Sequence, residues 1–106
     1  MTPEARVKAN IKKLLVAMGV WYFLPAASQF GKKGIPDFIC CANGHFLAIE
    51  AKSNGNRATD LQLHRIDEIK QHKGTALVVD ETNLEHLERI VANIVAVELY
   101  NNAPII

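Results

Sequence analysis

The stretch from Gly34 to Lys52 (Gly-Ile-Pro-Asp-Phe-Ile-Cys-Cys-Ala-Asn-Gly-His-Phe-Leu-Ala-Ile-Glu-Ala-Lys) constrains the chain more than any other. Two apolar runs, residues 38–41 and 46–49, flank Asn43-Gly44. Asn-Gly between apolar runs is the strongest short-range hairpin signal, because both central positions of a type I′ turn need positive φ. With these two residues as the turn, Asp37 lies opposite Glu50 at the open end of the hairpin. Side chains alternate faces along a strand, so Asp37, Glu50 and Lys52 point to one side. A slip of one residue would send Asp37 to the other.

The flanking sequence supplies the remaining elements. Thr2-Pro3-Glu4 reads as a helix start, with Thr as N-cap, Pro at the first helical position and an acid at the positive dipole end. Val7, Ile11, Leu14, Leu15 and Met18 then recur at helical steps, predicting a helix over 3–18 that stops at Gly19. Its opposite side, Arg6, Lys8, Lys12 and Lys13, reads as a solvated face, with phosphate contact as the alternative. Residues 20–24 are aromatic and branched and predict a strand ended by Pro25. Residues 26–34 read as a loop in which Lys32 and Lys33 directly precede the carboxylates, as a phosphate-approach loop would. Ser53 to Arg57 is a turn-rich connection. Thr59-x-x-Gln62 matches a capping box, and Leu63, Ile66, Ile69 and the stem of Lys70 form the inward stripe of the helix it opens. Gln62, four residues before Ile66, shares that stripe and is placed to reach the sheet. Gly74 ends this helix. Residues 75–79, an unbroken apolar run, predict a strand buried on both faces, parallel to the second hairpin strand or its neighbour. A last helix starts near Asn83, with Leu84, Leu87, Ile90, Val91, Ile94 and Val95 inward; periodicity does not decide between helix and strand for 95–100, and the tail is expected to fray. The order is α-β-β-β-α-β-α, an α/β fold around a mixed four-stranded sheet.

Length fits one domain spanning 1–106, and 49% hydrophobic with 22% charged residues is the composition of an ordinary globular protein. A net charge of +1 excludes a strong global field for nucleic acid, so any basic footprint is local. The adjacent Cys40 and Cys41 point to opposite faces and are expected to be buried thiols of a reducing compartment. No run approaches the roughly 18 apolar residues of a membrane span, and residues 2–13 carry no signal-peptide core. The expectation is a cytoplasmic protein without a membrane partner. His45, His64, His72 and His86 have no metal-ligand spacing and are expected to be solvated.

The chemistry follows from the hairpin face. Mg²⁺ or Mn²⁺ wants hard oxygen ligands. Carboxylates placed opposite one another, with Cβ atoms roughly 4.5–5.5 Å apart, both reach one ion, and the Ala51 carbonyl offers a third oxygen. Two such acids repel unless something positive sits beside them, which Lys52 supplies in part and a divalent cation would complete. Lys52 would then orient or deprotonate an attacking water, or steady charge on a phosphorane-like transition state. Phosphodiester hydrolysis is the reaction implied. Two other classes stay open: a non-catalytic nucleic-acid-binding module holding phosphates with Lys32, Lys33, Arg57 and Arg65, and a metal-dependent phosphoesterase of small molecules. The acids would repel the phosphate backbone in the first of these.

Pro36-Asp37, a gap of twelve residues and Glu50-Ala51-Lys52 resemble the PD-(D/E)xK nuclease superfamily. More narrowly, Gly34-Ile35-Pro36-Asp37, Ile49-Glu50-Ala51-Lys52, Thr59-x-x-Gln62 and Gly74 look like the virus-type replication-repair nuclease (VRR-NUC) domain in a stand-alone, phage-like form, over Thr2 to about Val79. The resemblance implies a restriction-endonuclease-like fold in a bacterial or phage-infected cell. It implies that Asp37 and Glu50 bind Mg²⁺ or Mn²⁺ with the Ala51 carbonyl, that Lys52 is catalytic, and that Gln62 is an active-site helix residue. Glu4 would be the first-helix acid that assists the metal. The function implied is a DNA endonuclease, acting as a homodimer on branched DNA such as four-way (Holliday) junctions or as a nuclease on other DNA. Residues 94–99 and the tail are candidates for the dimer interface.

Overall fold

Asn43 at φ 49° and Gly44 at φ 87° close a two-residue hairpin turn, which fixes the register of the two strands it joins. The computed structural model describes residues 1–26 and 31–101, with side chains to residue 96. The elements are α1 (Pro3–Ala17), β1 (Trp21–Phe23), β2 (Phe38–Ala42), β3 (His45–Ala51), α2 (Asp60–Gln71), β4 (Thr75–Val79) and α3 (Leu84–Asn101). This is the expected α-β-β-β-α-β-α order. The sheet runs β1-β2-β3-β4; the first three strands are antiparallel and β4 is parallel to β3. Phe38 pairs with Ile49 and Ala42 with His45, so the next position out is Asp37 against Glu50.

The two faces of the sheet are unequal. Phe38, Cys40, Leu47, Ile49 and Ala51 bury one face against α1 (Val7, Ile11, Leu15) and α3 (Leu87, Val91). Ala48 and Ala76 bury the other against Ile66 of α2, with Ile39, Ile69 and Val78 packed around them. Central β3 is covered on both sides, and Leu47, Ala48 and Ile49 are fully buried. Asp37 and Glu50 belong to the α2 face by alternation.

Several expectations are corrected. Strand β1 is shorter than 20–24, and β4, an edge strand, is only half-buried at Thr75, Leu77 and Val78. Leu63 is exposed and Lys70 points to water, because the stripe of α2 narrows to Ile66 and Ile69 over a two-strand footing. Cys41 is exposed while Cys40 is buried, since α2 does not extend over β2 at that row. His45 is half-buried, and its Nε2 lies 2.8 Å from Thr75 Oγ1. At the end of α2 it is Lys73, at φ 72°, that takes the left-handed conformation before Gly74. Residues 95–100 are helical, and Ile94 and Val95 pack against the chain's own core. Residues 102–106 of the tail, the side chains of interface candidates 97–99 and residues 27–30 of the loop lie outside what the structure describes. Among the described residues, no helix is long and apolar enough to cross a membrane.

Candidate active site

Asp37 stands one residue before β2, after the buried Pro36, and β3 carries Glu50 near its end. The Ala51 N–H donates to Asp37 Oδ2 at 2.9 Å, which holds that carboxylate against the hairpin although its strand has not yet begun. The N–H and C=O of one strand residue face the same neighbour, so the Ala51 carbonyl opens on the Asp37 side. Lys52 N–H, one residue on, donates to Val79 O at 3.0 Å and ties the end of β3 to β4.

Glu50 is only 2% exposed. Its Oε2 lies 3.3 Å from Lys52 Nζ and accepts from Gln62 Nε2 at 3.1 Å. Its Oε1 is buried and has no hydrogen-bond partner among the described residues. Burial, and then the charge of neighbouring Asp37, push the Glu50 carboxyl from 4.5 up to about 7 against the opposing pull of Lys52. A buried carboxylate oxygen left unpaired is costly, and charge beside charge adds to the cost.

Gln62 does two things at once. Its Oε1 accepts from Thr59 N–H at 2.8 Å and Thr59 Oγ1 accepts from Gln62 N–H at 3.1 Å, completing the capping box. Because a backbone N–H needs an acceptor, the cap fixes which end of the amide faces Thr59. The NH₂ is thereby presented to Glu50. The capping role and the reach toward the sheet are carried by the two ends of one side chain.

Glu4 reaches the site only indirectly. Lys8 Nζ lies 3.8 Å from both Glu4 Oε2 and Asp37 Oδ1, so α1 contributes a cation to the carboxylate cluster across the open end of the sheet. Lys8 is half-buried, which corrects its reading as part of a solvated face. Its signal was the i,i+4 step from Glu4 at the border of the apolar stripe, between Val7 and Ile11.

The four basic residues expected at phosphates divide. Lys32, Lys33 and Arg57 are exposed. Arg65 instead donates from Nε to Lys33 O at 2.9 Å and from Nη1 to Glu68 Oε1 at 2.8 Å, fastening the loop before Asp37 to α2. Gly34 lies within this fastened segment at φ 77°, and a Cβ there would stand 2.6 Å from Leu61 Cγ.

The donor set suits a hard divalent cation: two adjacent carboxylates, a carbonyl opening beside them and an unpartnered buried oxygen. Among the described residues no group of three or more His, Cys, Asp or Glu side chains is gathered for a metal, so the protein's share would be these two acids and the carbonyl.

An open mixed sheet helical on both sides, with paired acids at the open end of its hairpin, defines the class of fold. Among solved structures, a VRR_NUC domain superposes on the chain with a TM-score of 0.65 at 20% identity, over 91% of this chain and 97% of that one. The chain has the fold of that domain. No protein-family model and no curated protein matches it.

Proposed function

We propose that the chain is a Mg²⁺- or Mn²⁺-dependent DNA endonuclease. The observation that carries this reading is the buried, unpartnered Glu50 Oε1 beside Asp37, with Lys52 on the other oxygen. The likeness to a VRR_NUC domain supports a nuclease over a phosphoesterase of small molecules. In this reading Asp37, Glu50 and the Ala51 carbonyl hold the ion. When bound, such an ion supplies neutralisation of phosphate charge and a more acidic water. Lys52, already beside Glu50, directs its ammonium protons at the oxygen on which charge builds. Gln62 holds Glu50 in place, and Lys8 with Glu4 holds Asp37. Lys32, Lys33 and Arg57 meet phosphates, while Arg65 sets the loop that carries two of them. Branched DNA is the proposed substrate and a homodimer the proposed form, since one small sheet end offers little surface to a junction.

The test is cleavage of supercoiled plasmid, linear duplex and a synthetic four-way junction with Mg²⁺, Mn²⁺ or EDTA. Cleavage is expected only with metal. Asp37→Ala should abolish it, and Lys52→Ala should lower it by ~10²–10³-fold. Binding without cleavage under every metal condition sinks the nuclease reading, and cleavage surviving Asp37→Ala sinks the site.

A further inference from the structure

The α2 face of the sheet is only half covered. Helix α2 lies over β3 and β4; among the described residues nothing lies over β1 and the outer row of β2. Trp21 is 63% exposed, Phe23 47% and Phe46 45%, and Cys41 is exposed between them. Register makes this an ordered surface. Trp21 pairs with Cys41 and Cys41 with Phe46, one row across three strands. The next row is Phe23, Ile39 and Ala48, and the row after that holds Asp37 and Glu50. Rows on one face are two residues apart, roughly 7 Å, so aromatic rings begin about that far from the carboxylates and continue for as much again. The rings of Trp21 and Phe23 are in contact, centroids 5.8 Å apart and tilted by 54°.

Beside Phe46 the same surface dips into a pocket of about 450 Å³ between α2 and the loop before Asp37. Ile35, Phe46 and Ile69 give it apolar walls, and Lys32 adds a net positive charge beside the Arg65–Glu68 ion pair. Aromatic faces next to a net cationic rim match the two halves of a nucleotide, base and phosphate. A purely apolar partner would leave that rim unmatched. Paired bases in duplex DNA hide their faces in the stack, whereas unpaired bases offer them to aromatic side chains.

We propose that Trp21, Phe23 and Phe46 form a stacking platform for unpaired bases of a DNA strand whose backbone passes Lys32 on its way to Asp37 and Glu50. The inference rests on the nuclease reading for the identity of the strand, and deepens it: DNA with an unpaired segment beside the scissile bond is the substrate class.

Trp21 is the only tryptophan, so its fluorescence reports stacking directly. In EDTA, where no cleavage occurs, the full chain is titrated with a 20-mer oligothymidine and with a blunt duplex of equal length. Saturable quenching by the single strand, at least tenfold tighter than by the duplex, is expected. Trp21→Ala and Phe23→Ala, followed by anisotropy of dye-labelled oligothymidine, should each weaken binding roughly 5- to 150-fold, the range of stacking on one aromatic. Val16→Ser, an exposed apolar position on α1, should leave it unchanged. Independently of any variant, saturating oligothymidine should slow alkylation of Cys41 by N-ethylmaleimide at least fivefold. Equal or tighter duplex binding, undiminished alkylation, or self-association of the wild type that Trp21→Ala abolishes would each overturn the platform. Metal-dependent plasmid cleavage without stacking would overturn it alone; stacking without cleavage by any metal would overturn the nuclease reading alone.

Discussion

Glu50 concentrates the electrostatic problem of this chain in one side chain. Its folded value of about 7 lies above its ordinary 4.5, so the folded state holds the proton more tightly than the unfolded one. In metal-free protein that contribution to stability is fully present below about pH 4.5 and is lost as pH rises through about 7. The thermal midpoint in EDTA should therefore fall between pH 5 and 8, and Glu50→Gln should flatten the fall. A change of ~1 kcal/mol moves the midpoint of a domain this size by about 4–8 °C, which calorimetry resolves easily. Mn²⁺ should restore the midpoint at pH 8 in the wild type and not in Glu50→Gln; equal restoration in both would place the ion elsewhere. The dual use of Gln62 is tested by a pair. Thr59→Ala and Gln62→Ala should each cost about 1 kcal/mol of helix capping, while only Gln62→Ala should also weaken Mn²⁺ binding, by ~10–100-fold. An equal loss of affinity in the two would reduce Gln62 to a cap.

At the scale of elements, the hairpin was the most legible part of the chain, because Asn43-Gly44 admits few backbone solutions and alternation does the rest. The same arithmetic that paired Phe38 with Ile49 brought Asp37 to Glu50. Strand lengths and the coverage of each strand were less legible, since they depend on how far α2 reaches, which no local pattern encodes; Leu63 and Cys41 were misread for that reason. Lys8 was missed because a lysine on a helix is ambiguous until the sheet end it faces is known. The loop before Asp37 depends on close approach as well as on backbone freedom. Gly34→Ala combines a left-handed φ, worth ~1–2 kcal/mol, with a contact of 2.6 Å to Leu61, whereas Gly44→Ala faces open space at φ 87° and bears the backbone cost alone. Gly34→Ala should be the more destabilising in urea melts. Equal losses would mean that the packing of loop on α2 is slack.

Across the whole molecule the sheet divides the labour: α1 and α3 seal one face, and the candidate site occupies the other. Net charge of +1 leaves few cations for DNA, and Arg65 is already committed to Glu68 and Lys33. With Lys32, Lys33 and Arg57 as the phosphate contacts, the logarithm of duplex affinity should fall with the logarithm of salt at a slope of about −2 to −3. A slope of about −5 would mean that both chains of the proposed homodimer engage one duplex, and one steeper than about −6 would require phosphate contacts beyond these three residues. The sequence could state the charge but not its allocation, because ion pairing between a loop and a helix is a property of the packed chain.

The capping box joins two events that are separate in most helices. The amide that starts the first turn of α2 also orients Glu50, so fraying of that turn and release of the carboxylate are one opening. Amide exchange at Gln62, slowed by a cation bound more than ten residues earlier in the sequence, would make that link visible in time: the helix would breathe at a rate set by its metal.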